Sequence, residues 1–268
     1  MSTVDPGSLL LPGVASMSLE APLRHFEAHG WARLGRVAND DALARMRERA
    51  DDLMLGRVAY AGMFFQRDTE TGRYDDLTYG RGYEGPSLNY RKIEKIEKDE
   101  LFRAWIDNPL FERIARARVT GDVAIYRALL MTKAATGGSH LPWHQDGGVF
   151  WGLDRDPELQ IWTALDDAPP EAGCVEVVDG SHAAGLATRL GGVVPADIAS
   201  AHRAEERAVP LPAAAGEVLL IHNHLWHRSG VNTTGRPRRA ISTCYMSAAT
   251  RCLRKKRAPR TFVRVFVE

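Results

Sequence analysis

The first 120 residues carry apolar positions at helical spacing, separated by polar segments. Between Ser18 and Gly30 the apolar residues recur every three or four positions, which predicts a helix that ends at the glycine. The same spacing predicts three further helices, beginning after Asn39, near Asp99 and after the pair Asn108-Pro109. A strand is predicted between the first two helices, over residues 31–37.

Beyond residue 122 the pattern changes to short β-type runs separated by turn clusters such as Thr136-Gly137-Gly138-Ser139. These runs predict strands over residues 123–131, 159–165, 174–178, 217–225, 240–246 and 261–267. Helices on the N-terminal side and strands in the second half indicate an α+β or mainly β fold, and not a doubly wound parallel sheet.

No internal repeat or convincing linker divides the chain, so we expect one domain. Residues 1–17 are expected to form a loose arm, 18–121 a helical flank and 122–268 the strand-rich core. Within the flank, residues 66–89 are polar and rich in Gly, Asp and Tyr. Loops of this length inside a compact domain are often active-site covers, and we expect that role here.

Composition mainly excludes classes of protein. The chain has 268 residues with 35 Lys+Arg and 34 Asp+Glu, a formal net charge of +1, which argues against nucleic-acid and membrane-surface partners. No stretch approaches the length of an apolar membrane span. Three cysteines without a CxxC pair fit a reducing compartment, so we expect a cytoplasmic protein, as a monomer or small homo-oligomer.

The common nucleotide and hydrolase motifs are missing or lack their context. Residues 80–85 match GxGxxG, but Asp75-Asp76 precede them and Pro86 follows, where a dinucleotide site needs a strand and then a helix. The sequence has no GxSxG, Walker or HExxH motif. We therefore interpret residues 80–85 as a flexible loop.

The first informative segment is His144-Gln145-Asp146. An imidazole and a carboxylate two residues apart project from the same side of an extended chain, so both can reach one metal ion from a strand end. A lone HxD is common by chance and is more often a surface pair. The interpretation as a metal site therefore needs a third ligand.

Three histidines downstream supply candidates for that ligand. His222, His224 and His227 lie on or just after a strongly apolar run. Two imidazoles and one carboxylate form the facial triad of non-haem Fe(II) oxygenases, which leaves coordination positions open. Strand alternation places His222 and His224 on one face, whereas His227 needs a bend or bulge to join them, and the residue pattern alone leaves the choice open.

The order of several motifs resembles the phytanoyl-CoA dioxygenase family. The matching runs are HQDGG at 144–148, WTALDDA at 162–168, AGCVEVVDGSH at 172–182, and HRSGVN at 227–232 with Arg238. The run HFEAHGW at 25–31 also resembles the family's opening, so the likeness covers nearly the whole chain. It implies a mainly β fold, a double-stranded β-helix or cupin-like jelly roll with N-terminal helices packed on it.

The resemblance also implies the ligands of the cofactors. It assigns His144, Asp146 and His227 to Fe(II), because the family's distal histidine precedes Ser-Gly and an Asn. The family's arginine for the distal carboxylate of 2-oxoglutarate follows that histidine by eleven residues, and 227 + 11 = 238 is Arg238. Its planar fork suits a bidentate carboxylate pair. Positions that line the co-substrate in the family are occupied by Ser229, Trp162, Lys92 and Leu129.

Plainer interpretations accompany several of these residues. Lys92 lies in a run of mixed charge that is typical of a solvated face, and Trp162 alternates with its neighbours like a core residue. If the strand is shifted by one residue, Arg239 replaces Arg238 as the carboxylate partner. His182 is interpreted as a turn stabiliser. The basic residues at 251, 254–257 and 260 are interpreted as an exposed face or an oligomer contact.

The resemblance implies a dioxygenase that couples oxidation of a small organic metabolite, most simply its hydroxylation, to decarboxylation of 2-oxoglutarate to succinate and CO2. Its cofactors would be Fe(II), 2-oxoglutarate and O2. Asp146 argues against a halogenase, because halogenating relatives carry a small residue at that position. Two alternatives remain at this stage: a cupin-like metalloenzyme that does not use 2-oxoglutarate, and a non-catalytic relative that binds a ligand.

Overall fold

In the computed structural model, which describes residues 4–80, 82–135, 137–255 and 260–268, the strands form two antiparallel sheets. The larger sheet has the order β1-β10-β6-β12-β4-β3-β2, with β13 also paired to β4. The smaller sheet has the order β8-β5-β11-β7-β9. The strand bounds are β1 Trp31–Arg36, β2 Phe64–Arg67, β3 Tyr90–Glu94, β4 Val123–Lys133, β5 Leu141–Gln145, β6 Leu159–Ala164, β7 Val175–Val178, β8 Gly192–Val193, β9 Ala208–Leu211, β10 Glu217–His222, β11 His227–Ser229, β12 Arg238–Ser247 and β13 Val263–Phe266.

The two sheets are connected as a jelly roll. From β4 to β7 the chain alternates between the larger and the smaller sheet, and after β9 it alternates again through β10, β11 and β12. Eight antiparallel strands connected in this way form a double-stranded β-helix. The expected fold class, a mainly β jelly roll with a helical flank, is confirmed.

The helices are α1 Glu20–His29, α2 Asp40–Leu55, α3 Glu100–Ile106, α4 Pro109–Arg118 and α5 Ala196–Ala201. Side-chain caps begin three of them, because Asn39, Asp99 and Asn108 accept hydrogen bonds from backbone N–H groups of the first turn. Gly30 adopts the left-handed conformation that ends α1. The four N-terminal helices predicted from spacing and caps are confirmed. None of the described helices is long and apolar enough to cross a membrane.

Alternating side chains on the larger sheet serve two separate cores. On β10, Val218 and Leu220 pack in the cluster shared with α1 to α4, whereas Leu219 and Ile221 pack in the cluster between the sheets. Trp162 on β6 belongs to the inter-sheet cluster as well. The strands are therefore apolar on both faces, which explains why their sequence shows continuous apolar runs.

Each long strand predicted in the second half of the chain is present, but shorter and more polar strands were not predicted. The strands missed are β2, β3, β5, β8, β9 and β11, and the predicted strand 217–225 ends early, at His222. Two of the missed strands, β5 and β11, carry the candidate metal ligands. Strand β5 reads Leu-Pro-Trp-His-Gln and β11 reads His-Arg-Ser, so neither shows the alternation of apolar and polar residues that predicts a strand.

Several sequence interpretations concern loops and the C-terminal run. The next helix or strand after Gly80 to Gly85 is strand β3, so the helix that a dinucleotide site needs does not follow this segment; Arg81 lies outside the described residues. Thr136 of the turn cluster and Lys256 and Arg257 of the basic run also lie outside them. Described members of that run contact their own chain: Arg251 pairs with Asp154, Arg254 donates to the Phe150 carbonyl and Arg260 to the Tyr126 carbonyl.

Candidate active site

Strands β5 and β11 are neighbours in the smaller sheet, and they bring the HxD segment and one downstream histidine together. His144 and His227 are direct partners across this antiparallel pair, and their ring centroids lie 3.9 Å apart. Asp146 follows immediately after β5. The ligand atoms of His144, Asp146 and His227 all lie within 4.8 Å of one another, and no second group of this kind occurs in the described ranges.

The two imidazoles are held in the tautomer that a metal requires. Nδ1 of His144 lies 2.9 Å from the Pro142 carbonyl, and Nδ1 of His227 lies 2.8 Å from the Leu225 carbonyl. A carbonyl oxygen only accepts, so each Nδ1 carries the proton and donates it. Nε2 of each neutral ring is left with its lone pair directed toward the triad.

Electrostatics favour the metal-binding protonation states of these side chains. Burial, together with the nearby His227 ring, lowers the pKa of His144 to about 3, so this imidazole is neutral at physiological pH. Burial alone would raise the pKa of Asp146, but the Arg127 guanidinium and the two imidazoles outweigh burial and hold that pKa far below its usual range. Two neutral imidazoles and one carboxylate are the donors that a divalent transition metal takes.

The Asp146 carboxylate is fixed by two side chains from the larger sheet. Nη2 of Arg127 donates to Oδ1 at 2.9 Å, and Nε2 of Gln160 donates to Oδ2 at 2.6 Å. Ser242 in turn donates to Oε1 of Gln160 at 3.0 Å. These contacts orient the carboxylate from behind, as is usual for the partners of metal ligands.

The other two candidate histidines lie away from the triad. Strand β10 ends at His222, and the chain then turns, with the Leu225 N–H donating to the His222 carbonyl. His224 contacts Asp156 through Nε2 at 3.0 Å. This turn provides the bend that His227 needs, so the strand alternation that favoured His222 with His224 does not extend to residue 224.

A cavity of about 530 Å³ lies between the sheets beside the triad. All five residues assigned to the co-substrate line it, namely Arg238, Ser229, Trp162, Lys92 and Leu129. Arg238, Ser229, Trp162 and Leu129 are buried, whereas Lys92 is partly buried and lies 2.8 Å from Oε1 of Glu94. Lys92 is therefore neither a solvated surface residue nor a free cation.

Arg238 is a buried cation without a carboxylate partner among the described residues. The side chain is 3% exposed, and its one hydrogen bond runs from Nη2 to the Gly173 carbonyl at 2.8 Å. Its Nε is buried with no hydrogen-bond partner in the described structure. Burial lowers the pKa of Arg238 to about 10, so the guanidinium still carries its charge. A buried guanidinium that keeps its charge without a carboxylate partner indicates a site for an anionic ligand.

Arg239 faces the opposite side of strand β12. Its guanidinium contacts Asp166 at 2.8 Å and Asp51 at 2.7 Å, and it does not line the cavity. The alternative in which a shifted strand presents Arg239 to the co-substrate is therefore wrong. The reason is the register of β12, which pairs Arg238 with Lys133 and Arg239 with Thr132 of β4.

The polar cavity residues that sequence reasoning missed include Arg91, Arg127, Gln160 and Ser242. Arg127 and Gln160 interrupt apolar strands, β4 and β6, and a charged or amide side chain within such a run is the signal that could have found them. Trp162 lies in the inter-sheet core and lines the cavity as well, so both interpretations of this residue apply.

His182 and the described members of the basic run at the C-terminus do not line this cavity. Nε2 of His182 lies 3.1 Å from the Glu27 carbonyl, and its ring lies 4.9 Å from that of His222. These contacts fasten the turn after β7 to helix α1, in agreement with a structural role.

Known proteins resemble this chain in sequence and in fold. Residues 26–240 match the family model described as Phytanoyl-CoA dioxygenase (PhyH). Phytanoyl-CoA dioxygenase domain-containing protein 1 of Bos taurus is 28% identical over 158 residues, which are 56% of this chain and 54% of the relative. The chain thus spans about half the length of that relative.

Two further relatives are matched over most of their length. L-proline trans-4-hydroxylase of Streptomyces griseoviridis is 24% identical over 256 residues, which cover 85% of this chain and 88% of the relative. The crystal structure of EctD from S. alaskensis with 2-oxoglutarate and 5-hydroxyectoine superposes with a TM-score of 0.73 at 21% identity, covering 99% of this chain and 92% of that chain. At this identity the superposition shows a shared fold.

Proposed function

The chain belongs to the phytanoyl-CoA dioxygenase family, and from this premise we propose that it is a non-haem Fe(II)- and 2-oxoglutarate-dependent dioxygenase. We propose that it oxidises a small organic metabolite, by hydroxylation, and converts 2-oxoglutarate to succinate and CO2. One observation carries the proposal: a His-Asp-His cluster with two free imidazole Nε2 atoms shares a cavity with the unpaired guanidinium of Arg238.

The donor set fits the proposed metal. His144, Asp146 and His227 would hold Fe(II) on one face and leave the other coordination positions to co-substrate and O2. When bound, the iron supplies activation of O2 coupled to oxidative decarboxylation of 2-oxoglutarate. The chain's own contribution is to keep both rings in the required tautomer and to hold Asp146 ionised through Arg127.

The remaining cavity residues bind and shield the co-substrate. Arg238 binds the distal carboxylate of 2-oxoglutarate through its planar fork. This carboxylate supplies the counter-charge that Arg238 lacks within the protein. Ser229, Trp162 and Leu129 form the wall of that pocket, and Lys92 adds positive charge near it. Because most of this wall is buried, water is excluded from the reacting groups and the electrostatic contacts are strengthened.

The hydrophobic cores support a single domain, but the described residues 4–17 do not form the loose arm expected from the sequence: Leu9 is fully buried in the main cluster, and the Leu11 N–H donates to the Val37 carbonyl. One continuous cluster joins residues of α1 to α4 with residues of β4, β6, β10 and β12. We propose on this ground that the helical flank and the jelly-roll core form one domain. Cys174, Cys244 and Cys252 are all free thiols, which supports the proposal of a reducing, cytoplasmic location.

The test is release of succinate by the purified protein. With Fe(II), 2-oxoglutarate and O2, wild-type protein is expected to release succinate above a His144→Ala control, and a true substrate is expected to stimulate that release. Screening metabolites for stimulation would then identify the substrate. Succinate release no greater than that of the control, with every candidate metabolite, would contradict the proposal and leave the alternatives without 2-oxoglutarate.

A further inference from the structure

The wall of the cavity carries more positive charge than the co-substrate needs. Three of its five cations are neutralised within the protein: Lys92 by Glu94, Arg127 by Asp146, and Arg228 by Glu176 and Glu205. The other two, Arg91 and Arg238, form no ion pair with any described residue. Besides Asp146, the lining includes one more carboxylate, Asp75, which is exposed at the rim.

Arg91 points a largely unsatisfied guanidinium into the cavity. Its single hydrogen bond runs from Nη1 to Oε1 of Gln66 at 2.9 Å, and its guanidinium lies 5.9 Å from the centre of the Tyr74 ring. Asp68 also lies nearby, but its carboxylate accepts hydrogen bonds from Ser139 and Thr69. The remaining N–H groups of Arg91 are free to bind a group that enters the cavity.

The charges around Arg91 show that the positive potential is shared by the whole inner wall. Burial lowers the pKa of Lys133 to about 6, and the charges of Arg238 and Arg91 add to that effect. Burial also lowers the pKa of Arg91 itself, and the like charge of Arg127 adds to that effect.

The two unpaired arginines lie on different strands of the larger sheet and differ in burial. Arg238 begins β12, in the middle of the larger sheet, and is almost completely buried. Arg91 lies on β3, in the hairpin at the edge of the sheet, and it packs on Tyr74 of the loop that joins β2 to β3. The rim beside it carries the exposed apolar side chains of Tyr79, Phe150 and Val193. Arg91 thus lines the same cavity as exposed apolar side chains that a primary substrate would contact.

We propose that Arg91 binds an anionic group of the primary substrate, so that the substrate class is an organic acid: a carboxylate or a phosphate ester with an apolar body. This inference rests on the proposed function, since it assigns Arg238 to 2-oxoglutarate. The anionic group forms charge-assisted hydrogen bonds with the guanidinium, and the apolar body contacts the rim. Arg91 thereby selects the substrate and orients it toward the triad.

The experiment uses Mn(II) as the metal, saturating 2-oxoglutarate, and inorganic phosphate and acetate as separate anion probes. Paramagnetic Mn(II) at the triad increases the relaxation rate of 31P in phosphate, or of the acetate methyl protons, when either anion is bound in the same cavity. Binding of Mn(II) and of 2-oxoglutarate is measured independently for each variant. The variants are Arg91→Gln, Arg91→Lys, and Arg67→Gln as a matched control in the same hairpin, because Arg67 pairs with Glu84 and does not line the cavity.

Wild-type protein with both Mn(II) and 2-oxoglutarate bound is expected to show saturable relaxation enhancement for at least one of the two probes. Arg91→Gln should lower the affinity for that probe about tenfold or more, and Arg91→Lys should retain part of the affinity. The affinity of Arg67→Gln should stay within about twofold of wild type. The probe that binds better distinguishes a phosphate ester from a carboxylate.

Three results would overturn the inference while leaving the proposed function intact. These are no saturable enhancement in the loaded wild-type protein, equal enhancement in Arg91→Gln, or a comparable loss of 2-oxoglutarate binding in Arg91→Gln, which would assign Arg91 to the co-substrate. Failure of the wild-type protein to bind Mn(II) or 2-oxoglutarate at all would instead overturn the proposed function, and this inference with it.

Discussion

Arg127 donates from Nη2 to Oδ1 of Asp146 across 2.9 Å, and this contact joins the larger sheet to the triad on the smaller one. The guanidinium also lies 4.6 Å from the centre of the Trp151 ring, which limits its movement. The carboxylate is thereby kept ionised and fixed in direction before any metal binds. Metal affinity should consequently depend on a residue that is not itself a ligand.

Arg127→Met should lower metal affinity roughly 10- to 100-fold, the range typical for loss of a partner that orients a metal ligand. Titration with Mn(II) measures the effect, and Arg127→Lys, which keeps the charge but not the fork, should recover part of it. Arg264→Met serves as the control, because it removes an exposed ion pair with Asp122. Equal Mn(II) affinity in wild type and Arg127→Met, with both proteins folded, would show that Asp146 does not need this support.

Adjacent arginines on β12 should give opposite phenotypes. Arg238→Ala should raise the 2-oxoglutarate concentration required for succinate release roughly 10- to 100-fold, because a charge-assisted bidentate contact is lost. It should cost little stability, since the buried guanidinium of Arg238 has no ion-pair partner in the described structure. KM for 2-oxoglutarate and urea denaturation measure the two effects.

Arg239→Ala should show the reverse. It removes the ion-pair partner of Asp51 and one of the two partners of Asp166, which keeps Arg47 at 3.1 Å. The free energy of unfolding should fall by roughly 2–4 kcal/mol, below the cost for a fully buried pair, because Asp51 is partly exposed and Asp166 stays paired. The KM for 2-oxoglutarate should be nearly unchanged in the folded protein. A large rise in that KM for Arg239→Ala and none for Arg238→Ala would instead assign Arg239 as the partner of the co-substrate carboxylate, as in the shifted register.

Gly173 is a further position where the backbone itself supports the co-substrate pocket. It has φ +69°, its carbonyl accepts the hydrogen bond from Arg238, and an added Cβ would lie 2.3 Å from the Gly230 carbonyl oxygen. Gly173→Ala should lower the free energy of unfolding by about 3 kcal/mol or more, because left-handed strain and a backbone clash add together. It should also raise the KM for 2-oxoglutarate, because the Gly173 carbonyl that accepts the hydrogen bond from Arg238 would move.

Gly180→Ala provides a matched control for the conformational part of that effect. Gly180 has the same φ of +69°, but a Cβ there meets nothing within 4 Å. We expect a loss of about 1 kcal/mol, as for left-handed strain alone, and no change in KM. An equal decrease in the free energy of unfolding for the two alanine variants would mean that the close approach of Gly173 to Gly230 does not affect stability.

The sequence predicted the fold where local signals agree with tertiary structure. Asn39, Asp99 and Asn108 cap helices as their side chains suggest, and the long apolar runs become the central strands of the larger sheet. The strands that carry the ligands are short and lack periodicity, so the HxD spacing made His144 and Asp146 candidates and the order of motifs selected them. Contacts between distant strands, such as Arg127 with Asp146, have no local signal at all.

The choice among the three downstream histidines illustrates the same limit. Alternation favours His222 with His224 only while the strand continues, and strand β10 ends at His222. The turn that follows depends on tertiary contacts, including the hydrogen bond from the Trp226 N–H to Ser181. No local property of this segment predicts where the strand ends, whereas the resemblance to the family located His227 through the residues that follow it.

His222 should make the stability of the fold depend on pH. Its Nδ1 accepts the N–H of His224 at 3.0 Å, and burial lowers its pKa to about 3, with the nearby charges of His182, His224 and Arg118 adding to that effect. The unfolded chain takes up this proton near pH 6.5 while the folded protein does not, so stability falls as pH drops from about 6.5 toward 3. The contribution is about 1.4 kcal/mol per pH unit in the middle of that range.

His222→Asn should remove this contribution, because its side-chain oxygen can still accept the N–H of His224 but does not titrate. Urea denaturation at pH 5.5 and pH 4.5 should therefore show a smaller decrease in stability for the variant than for wild type, by roughly 1 kcal/mol. His202→Asn, which changes an exposed histidine, should behave as wild type. All three proteins are compared without metal, so that the buried, neutral His144 contributes equally to each. If wild type and His222→Asn lose the same stability between the two pH values, His222 must take up its proton in the folded state too, and burial does not keep it neutral.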